Sequence, residues 1–289
     1  MRFEFMDATA SQCTFACALS YFIDLRVLFG LNYIYVLEGA VTSEIVSVLC
    51  GGSGPQCAAP EEYLKSRELP NGVRPSGYGV RFYDNMSNSV SPCTAYQNLL
   101  ETCETDVQIL IHDDVSIHDP EWREKVMALF ESNSNCVAVG LGGATALGSR
   151  DLYRKPWNIW NMARRGYASN QDDAEIHGVR FTGERRVAVI EQFFMAIRTD
   201  WLRQIGGWPV EHLRHHMLDG FIACEAARRG KEIWMTGISC LHSGGGSSTK
   251  DSYAKASWLL GGSMKSDHRL PHVWLASEYR DVLPIEVGT

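Results

Sequence analysis

The sequence predicts an α/β fold with a mostly parallel central sheet flanked by helices. Three observations predict it. Short β-branched runs alternate with amphipathic stretches between residues 45 and 141, the pattern of strand–helix–strand crossovers. One run, VQILI at 107–111, is nearly continuous in apolar residues, as a strand covered on both faces tends to be. The chain of 289 residues is 45% hydrophobic and 21% charged, enough to build a sizeable core and too apolar for a disordered chain.

The elements follow in order. Residues 13–37 are apolar but split by Asp24 and Arg26, so neither half reaches the ~20 residues that span a bilayer. The leader MRFEFMD lacks the net positive charge of a secretory segment. No transmembrane span is expected; packing elements or an N-terminal extension fit, with attachment to a membrane surface as the alternative. IVSVLC (45–50) reads as a buried strand that ends in the loop GGSGP. Residues 56–77 read as loop with one helical turn at 60–67. GVRFYD (79–84) is a second strand and NMSNS a turn cluster. Ser91 caps a helix and Pro92 suits its first position. Ala95, Leu99, Leu100 and Cys103 then share one face.

After VQILI, Asp119-Pro120 opens a helix with Trp122, Val126, Leu129 and Phe130 at helical spacing, and CVAVGL (136–141) is a further strand. Residues 149–186 are polar and aromatic and read as loops with a short helix. Residues 186–202 read as a strand, then a strand or turn, then a helix start, stopped by GGWP at 206–209. Residues 219–229 form an amphipathic helix ended by Gly230. EIWMTGISCLH (232–242) reads as one strand before SGGGSS, and the last forty residues carry one or two helices. The domain reading is an N-terminal extension at 1–40, a catalytic α/β domain at 41–248 and a C-terminal helical extension at 249–289. A chain begun near Thr42 is therefore expected to fold and bind nucleotide; circular dichroism and nucleotide titration check this, and an insoluble truncation would make residues 1–40 part of the core.

Composition narrows the function. Lys+Arg 27 against Asp+Glu 34 leaves a formal charge of −7, which argues against a protein that grips nucleic acid by bulk charge. The 9 cysteines are scattered and form no C-x-x-C pair. Cys13/Cys17 and Cys50/Cys57 have no matching second half, which argues against structural zinc. Unpaired cysteines suit a reducing, cytoplasmic compartment, where they serve as small core hydrophobes.

The acidic pair Asp113-Asp114 stands where the buried strand ends, and ligands of open parallel sheets bind outside the carboxyl ends of strands. Adjacent carboxylates repel unless a cation or hydrogen-bond donors satisfy them. A divalent metal bridging a diphosphate would do so; the alternative is an acidic loop capping the helix at 119–120. His242 ends another predicted strand and precedes Gly244 and Gly245. Imidazole suits manganese-type ions and glycine lets backbone approach phosphate, although a histidine there also serves as an ordinary polar residue. Asp219 starts a helix, as a functional carboxylate or as an N-cap. Asp84 ends the second strand, as a ligand group or in an Asx-turn with Asn85.

Together these segments resemble family 2 glycosyltransferases and their relatives with the GT-A fold. ILIHDDVSIHDPEW is similar to their DXD-type segment. IVSVLCGG with VRFYDNMSN resembles the first strand and the strand and turn that grip the nucleoside. FFMAIRTDWLRQIGGWP resembles the strand, Arg, helix and Gly-Gly-aromatic turn, and MLDGFIACEAARRGKEI the helix that opens with the catalytic acid, followed by a strand and a terminal His-Gly-Gly, here LHSGGG. SNQDDAEIHG with RRVAVIEQFFMAIR is most similar to a viral or phage-associated branch. The resemblance implies transfer of one sugar from a nucleotide-sugar donor to an acceptor hydroxyl, with inversion. It implies Asp84 on the nucleoside, Asp113 on the ribose or behind the metal, Asp114 on Mn²⁺ or Mg²⁺, His242 completing the metal or diphosphate site, and Asp219 as base.

The acceptor would be a glycan, lipid, protein or small molecule; the negative charge disfavours nucleic acid. Only one carboxylate, in Leu218-Asp219, stands where an acidic pair is commoner, and the Gln-x-x-Arg-Trp motif of processive synthases is absent. Glu175 and His177 either reach the acceptor or are solvated. Two rivals remain. A nucleotidyltransferase would need a basic residue in the first glycine loop, and GGSGP has none. A non-catalytic nucleotide- or sugar-binding module would bind donor without turning it over.

Overall fold

The computed structural model describes residues 41–50, 80–85, 87–112, 115–149, 165–171, 178–242 and 254–288. β1 (Ser43–Cys50) runs parallel to β2 (Val80–Asn85), with Leu49 opposite Asp84. The turn after β2 closes on Asn85, whose side chain donates to the Val90 carbonyl at 2.8 Å and accepts the Val90 N–H at 3.1 Å. α1 (Pro92–Glu101) begins at Ser91, whose Oγ accepts the Thr94 N–H at 3.1 Å; such a cap contributes about 1 kcal/mol. Ala95, Leu99, Leu100 and Cys103 are buried, as their spacing predicts.

β3 (Val107–Ile111) is buried at every position and lies parallel to β1. Thr42 ties the start of β1 to it: its N–H and hydroxyl both donate to Asp106 Oδ2 at 2.8 Å. β4 (Val115–Ile117) precedes α2 (Trp122–Ser132). Asp119 turns the chain into α2 from outside the helix. Its Oδ1 accepts the Glu121 N–H at 2.9 Å, and its other oxygen meets Lys125 Nζ at 2.6 Å. β5 (Cys136–Gly140) is followed by the short strands β6 (Gly142–Ala144), β7 (Ala146–Leu147) and β8 (Ala168–Ser169). Then come β9 (Glu184–Val187), β10 (Val189–Ile190), β11 (Phe194–Arg198) and α3 (Thr199–Gln204).

The Gly-Gly stop after α3 has a steric cause. Gly206 and Gly207 have φ of 98° and 76°, a region that costs other residues dearly. A side chain at 207 would also come within 2.5 Å of Gln97 Oε1, the oxygen that accepts the Trp208 N–H at 2.9 Å. α4 (Leu218–Arg228) ends before Gly230 at φ 62°. β12 (Glu232–Thr236), β13 (Cys240–His242), α5 (Met264–Glu278) and β14 (Ile285–Glu286) complete the described chain.

The central sheet has the order β2-β1-β3-β11-β5-β12-β9. β2, β1, β3, β5 and β12 point one way; β11 and β9 run against them. The sheet is therefore mainly parallel and separates two cores. One packs α1, α3, α4 and α5 against Leu110, Met195 and Ile197; the other packs α2 against Ile109, Ile111, Phe194 and Ala196. Alternation along β3 and β11 feeds both faces, which is why both are apolar apart from Gln108 and Arg198.

One expectation needs correction. Residues 232–242 are not one strand: β12 joins the central sheet, whereas β13 pairs with β4 in a separate ribbon. The break is a tight turn in which the Ile238 N–H donates to the Thr236 carbonyl at 2.9 Å. Gly237 sits there against the Phe181 carbonyl, which an added Cβ would approach to 2.8 Å. The helical turn expected at 60–67 lies outside the described residues. Of 149–186, the part that is described forms short strands; the remainder lies outside.

Among the described residues, Cys93, Cys103, Cys136, Cys224 and Cys240 are buried thiols outside any disulfide. Burial pushes the Cys136 thiol up to about 12, so it packs as a hydrophobe and does not react. No helix among the described residues is long and apolar enough to cross a membrane.

Candidate active site

The carboxyl ends of β1, β2, β3 and β5 open on one edge of the sheet. Asp84 is the penultimate residue of β2 at that edge. His112 follows β3 and its N–H donates to the Phe193 carbonyl at 2.9 Å, adding one rung to the β3–β11 ladder. The chain then returns as β4, and the antiparallel β4–β13 pairing sets His242 opposite Val115, Leu241 opposite Ser116 and Cys240 opposite Ile117. His242 therefore faces the residue that directly follows Asp114. Asp113 and Asp114, like Gly244 and Gly245, lie outside the described residues, so the ladder fixes only their chain neighbours.

The His242 ring is held by aromatic packing. It stacks on Phe193 with centroids 5.1 Å apart and planes at 20°, and meets the His112 ring edge-on at 5.6 Å. His242 itself is half-buried. A ring packed between two neighbours is held in a fixed orientation. An imidazole paired with Val115, the residue that follows two consecutive carboxylates in the chain, is donor chemistry that fits a manganese-class cation. Among the described residues alone, no group of three or more metal-ligating side chains is assembled.

Asp219 lies in the first turn of α4, 3% exposed. It is not the N-cap: that position is Met217, in the left-handed region at φ 69° and without a side-chain capping bond. The Asp219 Oδ1 accepts the Gly220 N–H at 2.8 Å. A carboxylate in the first turn of a helix is favoured by the helix dipole. A non-glycine residue in the left-handed region costs about 1–3 kcal/mol and persists only where its surroundings over-determine it. Those surroundings include Gln192, whose Nε2 donates to the His215 carbonyl at 2.8 Å. Gln192 and Phe193 thus brace both halves of the site, one holding the approach to α4 and the other stacking on His242.

Glu225, the next carboxylate along α4, is occupied elsewhere. It accepts from Tyr279 OH at 2.8 Å and from Arg229 Nε at 2.9 Å. Sequence reasoning missed His112, Gln192 and Phe193 as site residues. His112 adjoins the acidic pair and could have been noticed, whereas Gln192 and Phe193 act only through partners distant in sequence. Glu175 and His177 lie outside the described residues.

The profile of a glycosyltransferase-like family matches residues 57–259, well over half of the chain. No curated protein matches. Among solved structures, GalNAc-T7 with UDP, GalNAc and Mn²⁺ is 13% identical with a TM-score of 0.49, covering 86% of this chain and 51% of that one. This chain thus spans about half the length of GalNAc-T7. A197 from STIV is 13% identical with a TM-score of 0.39, covering 70% and 85%. The mannosyltransferase PcManGT from Pyrobaculum calidifontis, in complex with GDP-Man and Mn²⁺, is 12% identical with a TM-score of 0.40, covering 71% and 57%. The length of the profile match, on a mainly parallel sheet with helices on both faces, makes this chain a member of the family 2-like glycosyltransferases with the GT-A fold.

Proposed function

We propose that the protein transfers a single sugar from a nucleotide-sugar donor to an acceptor hydroxyl, with Mn²⁺ or Mg²⁺ and with inversion. The observation that carries this reading is the β4–β13 ladder, because it sets His242 across from the residue that follows the acidic pair. Asp114 and His242 hold the cation, and Asp113 lies on the ribose or behind the cation. Asp84, at the end of β2, contacts the nucleoside. Gly244 and Gly245 let the backbone approach the diphosphate. Bound there, a divalent cation supplies positive charge against the leaving nucleoside diphosphate. Asp219 takes the proton of the attacking hydroxyl. Its burial in the first turn of α4 supports a fixed base with little freedom to turn away.

The acceptor is a glycan, lipid, protein or small molecule. The buried thiols outside any disulfide support a reducing, cytoplasmic setting. Residues 41–248 are the catalytic domain in this reading, with extensions on either side.

The test is a thermal-shift screen of UDP, GDP and other nucleoside diphosphates, with and without Mn²⁺. A ligand at about a hundred times its Kd stabilises the folded state by about 2.7 kcal/mol. One nucleoside diphosphate is expected to raise the melting temperature by several degrees, and only with the metal. A flat response to every nucleotide would sink the reading.

A further inference from the structure

We propose that Asp267 of α5 is a positioning residue for the catalytic helix: through His216 it holds the strained approach to Asp219. The proposal rests on Asp219 being the base. Asp267 lies outside the span matched by the family profile, which ends at residue 259.

Asp267 is 0% exposed, and neither carboxylate oxygen completes a hydrogen bond of ordinary geometry. A buried carboxylate left in that condition is costly. It faces His216, with Nε2 and Oδ2 3.7 Å apart, one small shift from a hydrogen bond. His268 of α5 stacks on the His216 ring with centroids 3.5 Å apart and planes at 23°. His215 meets the same ring edge-on at 4.5 Å. Within α5, the His272 Nδ1 lies 2.8 Å from the His268 carbonyl oxygen one turn earlier.

The consequence falls on the next residue. Met217, directly after His216, takes φ 69° with no capping side chain, and Asp219 stands two residues beyond it. The Met217 carbonyl accepts the Phe221 N–H at 2.9 Å, so its backbone sets the start of the helix. Gly220 leaves room for the Met217 side chain and for Leu275 of α5; an added Cβ would lie 2.5 Å from the Met217 methyl and 3.2 Å from Leu275. The approach is therefore gripped between Gln192 at His215 and α5 at His216.

The charges around the pair are Arg214 and His215 on the approach and His268 and His272 on α5. Burial, then His215, His268 and His272, hold the His216 imidazole well below its ordinary range, so it is neutral at pH 7. Burial pushes the Asp267 carboxyl up to about 6, only partly offset by the Leu260 amide and the Arg214 guanidinium. Above pH 6 Asp267 is a carboxylate that can accept a charge-assisted bond from a His216 N–H; as pH falls through 6 it is protonated and that charge is lost, as it is in Asp267→Asn. The stability sign is opposite. A raised folded pKa means stability that is present below the unfolded value and lost as pH rises through about 6. The functional carboxylate thus costs stability at pH 7.

The test compares the full chain with Asp267→Asn, His216→Gln and Asp219→Asn. Asp267→Asn is expected to melt no lower than the parent at pH 7. Its amides from Met217 to Phe221 should exchange with deuterium about tenfold faster. Manganese-dependent turnover of UDP- or GDP-sugars should lose about tenfold in kcat, with KM within about twofold. The parent's kcat should fall as pH drops through about 6, and Asp267→Asn should lack that inflection. Unchanged exchange at 217–221 together with an unchanged pH profile would overturn the proposal. If Asp267→Asn does not fold, His216→Gln must show the faster exchange, and unchanged exchange there overturns it equally. Full turnover by Asp219→Asn with altered exchange in Asp267→Asn would remove Asp219 as base and leave the grip on the helix standing.

Discussion

Asp219→Asn is expected to fold normally, bind nucleotide and metal as the parent does, and transfer sugar at least about a hundredfold more slowly. A hydroxyl is a poor nucleophile until its proton begins to leave, and a positioned base contributes about 10²–10⁴-fold. Asparagine keeps the shape and the oxygen that accepts the Gly220 N–H, so the local turn survives while the basicity does not. The only competing carboxylate on α4, Glu225, is held by Tyr279 and Arg229 and is not free to substitute. Melting temperature, nucleotide titration and kcat for one donor, measured together, check this. Lost stability with intact turnover per folded molecule would make Asp219 a helix-start residue only. A parent that binds nucleotide yet hydrolyses no donor would make the protein a binding module.

Asp114→Ala is expected to abolish both metal-dependent nucleoside-diphosphate binding and transfer, a loss of about a hundredfold or more. The substitution removes the carboxylate that directly precedes Val115, the ladder partner of His242, and leaves the β4–β13 pairing residues unchanged. Calorimetric titration of the diphosphate with and without Mn²⁺ separates the two effects. Turnover at full rate in excess chelator would refute the metal role and leave Asp113-Asp114 as a capping loop.

Local signals carried much of the fold. Ser91 and Pro92 marked the start of α1 because a cap and a fixed φ act within one turn of the helix. VQILI announced a strand covered on both faces because its four apolar side chains divide between the two cores. The 232–242 segment misled for the complementary reason. Ile233–Met235 and Cys240–His242 have the same composition whether they pair with β5 and β9 or with β4, and only distant partners decide. The same limit applied to the site. The position of His242 at a strand end was legible, but the rings of Phe193 and His112 that clamp it were not. Asp219 was legible as a helix-start carboxylate. The left-handed Met217 before it had no sequence mark, because methionine is not a residue that favours that conformation.

The late position of α5 has a consequence for synthesis. Leu275, Ala276 and Tyr279 pack into the same core as Val46 of β1 and Phe221 of α4. A ribosome makes β1 and α4 of that core before it makes α5. A nascent chain that has emerged only as far as β13 holds α4 with one apolar flank bare, and Glu225 still waits for Tyr279. Exposed apolar surface of this kind is what chaperones bind and what aggregates. A chain that lacks α5 would therefore be prone to aggregate and would not simply fold with lower activity.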